Sequence, residues 1–127
     1  MNLLLDTHIF LWWDSQNKAP NANTHALIAD PVNQIFVSAA SVWEIAIKRR
    51  IGKLDFRGSP AAAISANGFL ELPILPIDAE HAGTLEWQHN DPFDRMLIAQ
   101  AGRRAFTLAT ADAAIRAYPG IAQIWAG

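Results

Sequence analysis

The sequence predicts an α/β protein, a three-layer sandwich in which helices cover both faces of a mainly parallel sheet. Short apolar runs alternate along the chain with longer stretches of helical spacing, and this alternation is typical of strands linked by crossover helices. The apolar runs are of the kind found in parallel strands buried on both faces. With 127 residues, 51% of them hydrophobic, the chain can bury one good core. We therefore expect a single domain spanning residues 1–127.

Five short apolar runs are the predicted strands. They are residues 3–5, 35–37, 70–72 with 74–75, 106–108 and 121–125, and Pro73 interrupts the third run. Periodicity alone does not separate such runs from buried helix. Their alternation with helical stretches favours strands.

Six stretches between these runs are the predicted helices. They are residues 24–29, 41–50, 61–67, 79–87, 92–104 and a short segment that starts near residue 112 and ends before Pro119. In the second stretch Val42 and Ile45 share one face with the helical spacing of a buried stripe. Asp78 and Asp91 are expected N-caps of the fourth and fifth helices, and Pro92 suits a first helical position.

Four acids lie where predicted strands end or where the following helices begin. Asp6 directly follows the first run and Asp112 follows the fourth. Glu44 and Asp94 lie near the beginnings of helices 41–50 and 92–104. Right-handed crossovers place successive strand ends at one edge of a parallel sheet, where open sheets bind ligands. We therefore expect these acids to converge.

Most of these acids also have a purely structural interpretation. Ser41 and Glu44 fit a capping box, and Glu44 could instead form a surface pair with Lys48, four residues later. Asp112 could cap its own short helix. Asp6 is harder to explain in this way, because carboxylates seldom follow a core strand unless they have a partner.

Clustered carboxylates favour a hard divalent cation, because they repel and raise one another's pKa when no cation is bound. Mg²⁺ or Mn²⁺ suits an all-oxygen site, whereas zinc fits poorly since the chain has no cysteine and no pair of histidines at ligand spacing. The chemistry this permits is metal-assisted phosphodiester hydrolysis. Asp6 and Asp94 are the expected primary ligands, with Glu44 and Asp112 completing the site.

Several neighbours of these acids complete the list of candidates. The hydroxyls of Thr7 and Thr110 are placed to orient a carboxylate or a water. Asp91 is a possible further ligand. Among the four histidines, which we interpret as core-edge or surface residues, only His89 stands out, because it precedes Asn90-Asp91 directly.

Four segments, taken in order, resemble the motifs of PIN-domain ribonucleases. They are residues 4–8 (LLDTH, with Leu3 before it), 38–48 (SAASVWEIAIK), 89–101 (HNDPFDRMLIAQA) and 108–112 (LATAD). The third closely matches the motif as it occurs in VapC-type toxins of bacterial toxin–antitoxin pairs. Together the order and spacing cover the chain from residue 3 to about residue 119.

The resemblance implies a PIN-like fold and a Mg²⁺- or Mn²⁺-dependent endoribonuclease that blocks translation by cutting RNA. It also implies a small VapB-like antitoxin whose C-terminal segment lies across the site, and a toxin homodimer. By position, Asp6, Glu44, Asp94 and Asp112 match the acidic quartet of the family. Asp91 is the extra acid of the Asp-Pro-Phe-Asp variant, and Asp94 is preferred as the ligand because it heads the Asp-Arg-x-Leu-Ile-Ala-x-Ala stretch.

The charge distribution allows only a local surface for RNA. The net charge is −2 and the pI is about 6.0, so no overall positive field attracts nucleic acid. Five of the ten basic residues nevertheless fall in one short segment: Lys48, Arg49, Arg50, Lys53 and Arg57. This segment could follow an RNA backbone, or it could be a solvated helix end with cations at the negative end of the dipole. Arg95 is expected to anchor a nearby carboxylate.

The five tryptophans suggest a partner surface as well as a core. Phe10, Trp12 and Trp13 could line a groove for the antitoxin or the dimer partner, with core packing as the alternative. Trp43 is expected in the core. The apolar start of the chain is interrupted by Asp6 and has no basic residue before it, so we expect no secretory signal, no membrane segment and a cytoplasmic location.

Two functions from other classes remain open at this point. An inactive PIN-like module would bind antitoxin or RNA without cutting, and the four intact acids argue against it. A receiver-like phosphoacceptor domain also gathers acids around Mg²⁺ at strand ends. That domain needs paired acids after the first strand and a lysine after the last, but Asp6 stands alone and no lysine follows Lys53.

Overall fold

A computed structural model describes residues 1–127. The strands are β1 (Asn2–Leu5), β2 (Gln34–Ser38), β3 (Leu70–Leu72), β4 (Thr107–Thr110) and β5 (Gln123–Trp125). The helices are α1 (Thr7–Ser15), α2 (Ala22–Ala29), α3 (Ala39–Arg50), α4 (Pro60–Ala66), α5 (Pro76–Thr84), α6 (Pro92–Arg104) and α7 (Ala113–Arg116). None of these helices is both long and apolar enough to cross a bilayer.

The five strands form one sheet in the order β3-β2-β1-β4-β5, and every neighbouring pair is parallel. Strand β1 is central, with Leu3 opposite Ile35 of β2 on one side and Thr107 of β4 on the other. The predicted parallel sheet is therefore confirmed. Because all strands run the same way, the residues that follow β1, β2 and β4 meet at one edge.

Two hydrophobic clusters cover the two faces of the sheet. Leu3 and Leu5 of β1 belong to a cluster with Phe10 of α1 and with residues of α2, α3 and α4. Leu4 points the other way and packs with Leu97 of α6 and with residues of β4 and α7. Successive side chains of a strand alternate between faces, so β1 contributes to both clusters. This arrangement confirms the three-layer sandwich.

The predicted strands all occur, with small shifts. The third is confined to Leu70–Leu72, so residues 74–75 lie outside it. Pro73 follows directly and has no N–H to donate to a neighbouring strand. Two prolines, Pro73 and Pro76, therefore bound the short connection to α5.

The start of the helix predicted at residues 41–50 differs from the prediction, because its N-cap is a different residue. Helix α3 begins at Ala39, and Ser38 is its N-cap, accepting a hydrogen bond from the Ala40 N–H. The capping box assigned to Ser41 and Glu44 is therefore wrong, since Ser41 already lies inside the helix. The predicted cap of α6 is confirmed, because Asp91 accepts from the N–H groups of the helix's second and third residues.

Helix α1 is not predicted by the sequence. Its residues 9–13 are apolar without interruption, so no amphipathic stripe separates it from a strand or loop. Two of its residues, Ile9 and Phe10, are fully buried. Phe10 is therefore a core residue and does not line a groove, whereas Trp12 and Trp13 are half-buried.

Trp43 is 58% exposed, so its assignment to the core is wrong. The adjacent Glu44 and Ile45 take the inward positions of α3. The indole instead meets the ring of Phe93 on α6 edge-on, with 5.1 Å between ring centroids. A helix has room for only some of its large side chains on its buried face, and α3 uses that face for other residues.

Asp78 is a buried anchor between α5 and α6, and its assignment as an N-cap is wrong. Pro76 occupies the first helical position, so Asp78 is the third residue of α5 and accepts a hydrogen bond from the Leu75 N–H at 2.8 Å. Its side chain is fully buried and lies 2.6 Å from Arg103 and 2.9 Å from Arg104. Burial raises the pKa of this carboxyl, but the hydrogen bonds from Arg104, Leu75 and Arg103 outweigh it and hold the pKa well below its usual range.

Replacing Asp78 with Asn should lower the free energy of unfolding by about 3 kcal/mol at pH 7, because two guanidinium groups lose their buried partner. The contribution of a carboxyl with a lowered pKa is present above its unfolded pKa and is lost as pH falls through the folded value. Urea unfolding should therefore show the difference from wild type shrinking below about pH 4. Glu80→Gln, an exposed change on the same helix, is the control, and equal losses in both variants would contradict this role.

Candidate active site

Asp6 lies at the carboxyl end of the central strand and is 2% exposed. Its backbone N–H donates to the Ala109 carbonyl at 2.9 Å, which extends the β1–β4 pairing to this residue. The hydroxyl of Thr110 donates to Asp6 Oδ2 at 2.9 Å. Burial raises the pKa of Asp6, the bond from Thr110 and the nearby His8 lower it in part, and the charge of Asp112 raises it further.

Asp94 lies in the first turn of α6 and is 8% exposed. Its Oδ2 is 2.7 Å from Nε2 of His89. Burial raises its pKa to about 7, with the hydrogen bond to His89 acting against this and the charges of Asp91, Asp6 and Asp112 adding to it. These three carboxylates are close enough to act on Asp94, so the structure brings four of the predicted acids together.

Asp91 and Asp112 also cap helices. Asp91 Oδ1 accepts from the N–H groups of Phe93 and Asp94 at 2.9 and 3.0 Å. Asp112 Oδ1 accepts from the N–H groups that begin α7 at 2.8 and 3.3 Å. The structural interpretation of Asp112 is therefore confirmed as one of its functions, and its charge still reaches Asp94.

Glu44 lies on the buried side of α3 and is 5% exposed. Its Oε2 lies 2.6 Å from Nζ of Lys48, so the predicted pair exists, but its acidic member is buried. The hydrogen bond from Glu44 raises the pKa of Lys48, and the charges of Asp91 and Asp94 raise it further. Lys48 therefore connects Glu44 electrostatically to the other acids.

A cavity of about 270 Å³ opens beside Glu44. Its polar lining comes from Thr7, His8, Glu44, Lys48 and Lys53. One acid and two lysines therefore line this cavity. Because the two lysines outnumber the acid, the cavity can admit an anionic ligand.

The two predicted supporting threonines behave differently. Thr110 orients Asp6 as expected and also accepts a hydrogen bond from the Asp112 N–H at 3.0 Å. Thr7 donates its hydroxyl to Ser41 at 2.8 Å, which ties the start of α1 to α3. Its side chain therefore orients no carboxylate, although its backbone N–H helps to lower the pKa of Asp6.

The basic segment is not uniformly available to a ligand. The guanidinium of Arg49 donates to the carbonyls of Phe56 and Gly58 at 3.3 and 2.7 Å, so it holds the loop after α3. Arg50 and Lys53 are exposed. The cations near the acids are thus Lys48 and Lys53, which share the cavity wall.

Two residues outside the predicted quartet shape the site. His89 contributes a ligand-type atom within 4.8 Å of those of Asp91 and Asp94. Its position two residues before Asp91 is the only sequence signal for this role. Arg95 anchors no carboxylate, contrary to expectation, because it donates to backbone carbonyls, among them those of Ala82 and Trp87 at 2.9 and 2.7 Å.

Comparisons with known proteins identify the family of this chain. A family model described as PIN domain matches residues 3–121. Ribonuclease VapC16 from Mycobacterium tuberculosis is 39% identical over 61 residues, a segment that covers 48% of this chain and 43% of that protein. Less than half of that relative is therefore matched.

Solved structures of low sequence identity share the fold. VapBC2 from Rickettsia felis bound to a promoter DNA fragment has a TM-score of 0.71 at 15% identity and covers 98% of both chains. DNA-bound VapBC from Salmonella typhimurium has a TM-score of 0.67 at 15% identity, covering 98% of this chain and 97% of that one. A toxin–antitoxin complex from Klebsiella pneumoniae has a TM-score of 0.65 at 20% identity, covering 94% of each.

Asp94 should destabilise the metal-free protein in a pH-dependent way. A folded pKa raised from 3.8 to about 7 means that the folded state binds the proton more tightly. Stability is then lost as pH rises from about 4 to 7. Asp94→Asn should gain about 2–4 kcal/mol over wild type in urea unfolding at pH 8 with excess EDTA, and almost nothing at pH 4.

The exposed Asp55→Asn is the matched control for this experiment. It should follow wild type at both pH values. A loss of stability in Asp94→Asn at pH 8 would instead show that the carboxylate is held by favourable contacts.

Proposed function

This chain belongs to the PIN-domain family, and from that membership we propose that it is a metal-dependent endoribonuclease that acts as the toxin of a toxin–antitoxin pair. The main support is the cluster of Asp6, Asp91 and Asp112 around Asp94, in which Asp6 and Asp94 are buried. The partial match to a relative named as a ribonuclease supports the activity. The likeness to VapBC complexes supports the toxin role.

The donor set fits Mg²⁺ or Mn²⁺. Asp6 and Asp94 are buried, their pKa values are raised, and neither contacts an arginine or a lysine. A hard cation would compensate this excess of negative charge, and carboxylate oxygens are its preferred ligands. When bound, such a cation supplies an activated water at neutral pH and stabilises charge on the phosphate. Asp6 and Asp94 would hold it, with Asp112 and Glu44 nearby and Asp91 as a possible further ligand.

The protein's own side chains prepare this site in three ways. Thr110 fixes one oxygen of Asp6, so that carboxylate cannot rotate freely. Asp112 and Asp91 are fixed by the helix N–H groups they cap. Glu44 is held by Lys48 at the wall of the cavity, where it can orient a water or accept its proton.

The RNA backbone would enter along the cavity that contains Lys48 and Lys53. Two cations on its wall offset the acids and can contact phosphates next to the cut. Arg50 could extend this contact on the exposed end of α3. Arg49 is engaged with the loop after α3 and contributes chiefly to its structure.

The proposed partners are a VapB-like antitoxin and a second copy of this chain. A similar fold occurs in the toxin–antitoxin complex from Klebsiella pneumoniae and in VapBC complexes, which supports an antitoxin partner here. The family match over residues 3–121 supports a single domain. An RNA-cutting toxin would act in the cytoplasm, where its substrate is.

The receiver-like alternative does not fit the sheet. Receiver-type sheets have the strand order 2-1-3-4-5, whereas this sheet has β3-β2-β1-β4-β5. The binding-only alternative shares the fold, so only the chemistry separates it from a nuclease. RNA binding without any cleavage by the wild-type protein would favour it.

Asp6→Asn and Asp94→Asn should each lower the rate of RNA cleavage by about 100-fold or more, because each removes a proposed ligand charge. Cleavage of a labelled total-RNA substrate with Mg²⁺ or Mn²⁺ measures this, and EDTA should abolish the wild-type activity. The exposed Asp55→Asn should cut as wild type does. Equal rates in all variants, or cleavage that persists in EDTA, would reject the mechanism.

Lys53→Ala should weaken binding of single-stranded RNA and reduce the slope of log K against log salt concentration by about 0.7, the value for one lost phosphate contact. The catalytic rate at saturating RNA should change little. Lys18→Ala is the control, because Lys18 is not among the residues that line the cavity. Its Nζ lies over the ring of Trp12, 4.2 Å from the ring centroid. An unchanged salt slope in Lys53→Ala would remove this residue from the RNA path.

A further inference from the structure

The loop between α5 and α6, residues 85–91, brings an imidazole against Asp94. Nε2 of His89 lies 2.7 Å from Asp94 Oδ2. The side chain of His89 is 31% exposed, whereas that of Asp94 is 12% exposed. A buried carboxylate therefore contacts an imidazole that is partly exposed to solvent.

The backbone of this loop is held by Arg95, the residue next to Asp94. Its guanidinium donates to the carbonyls of Leu85 at 2.8 Å, Trp87 at 2.7 Å and His89 at 3.2 Å. It also donates to the carbonyl of Ala82 at the end of α5. Five donors in a fixed plane suit this task, because they can satisfy several carbonyls at once. The loop's position is therefore set by the same helical turn that carries Asp94.

The ring of His89 is held as well as its backbone. The indole of Trp87 lies against it, with 4.7 Å between ring centroids. Trp87 is itself in edge contact with Tyr118, with 5.1 Å between centroids. The imidazole is thus fixed at its backbone and on one side of its ring, and its Nε2 points to one carboxylate oxygen.

We propose that His89 is a positioning residue of the metal site, which fixes the Asp94 carboxylate through Nε2–H···Oδ2 and leaves its other oxygen for the cation. This inference rests on the proposed function, since it requires a cation bound by Asp94. Residues that hydrogen-bond to a ligand fix its orientation, and their loss typically costs 10- to 100-fold in metal affinity or activity. Arg95 and Trp87 act one step further out by holding His89.

The test is Mn²⁺ binding measured by calorimetry at one pH. His89→Ala and His89→Phe should both weaken the affinity by about 10-fold or more. The phenylalanine keeps the contact with Trp87 but has no donor, so it separates the hydrogen bond from ring packing. His89→Gln has an amide N–H that can replace the imidazole donor and should recover affinity to within about threefold of wild type. His81→Ala, an exposed histidine on α5, is the control and should bind as wild type does.

Two further readouts exclude a general loss of structure. The metal-free variants should melt within a few degrees of wild type, and saturating Mn²⁺ should restore most of the RNA-cleavage rate without a change in KM for RNA. Spin-echo spectra of bound Mn²⁺ should show no directly coordinated nitrogen. A nitrogen signal that His89→Ala removes would make His89 a ligand and overturn the positioning role.

The outcomes also separate this inference from the proposed function. Wild-type affinity in both His89→Ala and His89→Phe, together with its loss in Asp94→Asn, would overturn the role of His89 and leave the metal-dependent nuclease standing. Failure of the wild-type protein to bind Mn²⁺ would overturn both.

Discussion

The site depends on the burial of Asp6 and Asp94 next to further carboxylates at the carboxyl end of the sheet. Burial disfavours a charged carboxylate, and neighbouring negative charges disfavour it further. Both effects raise the pKa of Asp94, to about 7. The all-parallel sheet imposes this proximity, because it brings the ends of β1 and β4 to one edge. A fold that keeps such a cluster favours whatever cation relieves it.

Asp78 shows what the same residue type does when it is purely structural. It is as deeply buried as Asp6, yet two arginines and a backbone N–H hold its pKa well below the usual range. Asp6 instead receives a neutral hydroxyl, and Asp94 receives one imidazole. Burial alone therefore does not identify a functional acid. The absence of a full counter-charge, combined with other acids close by, distinguishes Asp6 and Asp94 from Asp78.

The sequence predicted the sheet and the converging acids, because both follow from local patterns. Because Asp6 directly follows an apolar run, the rules for parallel strands are enough to predict its position at the carboxyl edge of the sheet. The features that were missed depend on tertiary contacts. Helix α1 has no polar interval to mark its period, Trp43 is displaced from the core by its own neighbours on α3, and Arg95 binds carbonyls that come close only after α5 and α6 pack together. His89 stands out in the sequence only because it precedes Asn90-Asp91, and its contact with Asp94 depends on the path of the loop between α5 and α6.

The start of α6 explains why two acids three residues apart have different tasks. Asp91 Oδ1 accepts hydrogen bonds from the N–H groups of Phe93 and Asp94, so this carboxylate stabilises the start of the helix. Asp94 stands one turn inside, where the positive end of the helix dipole favours its ionised form and opposes the effect of burial. Asp91 thus sets the direction of the helix, and with it the direction of Asp94. In the Asp-Pro-Phe-Asp order the first aspartate therefore begins the helix, and the second, Asp94, is the proposed primary ligand of the cation.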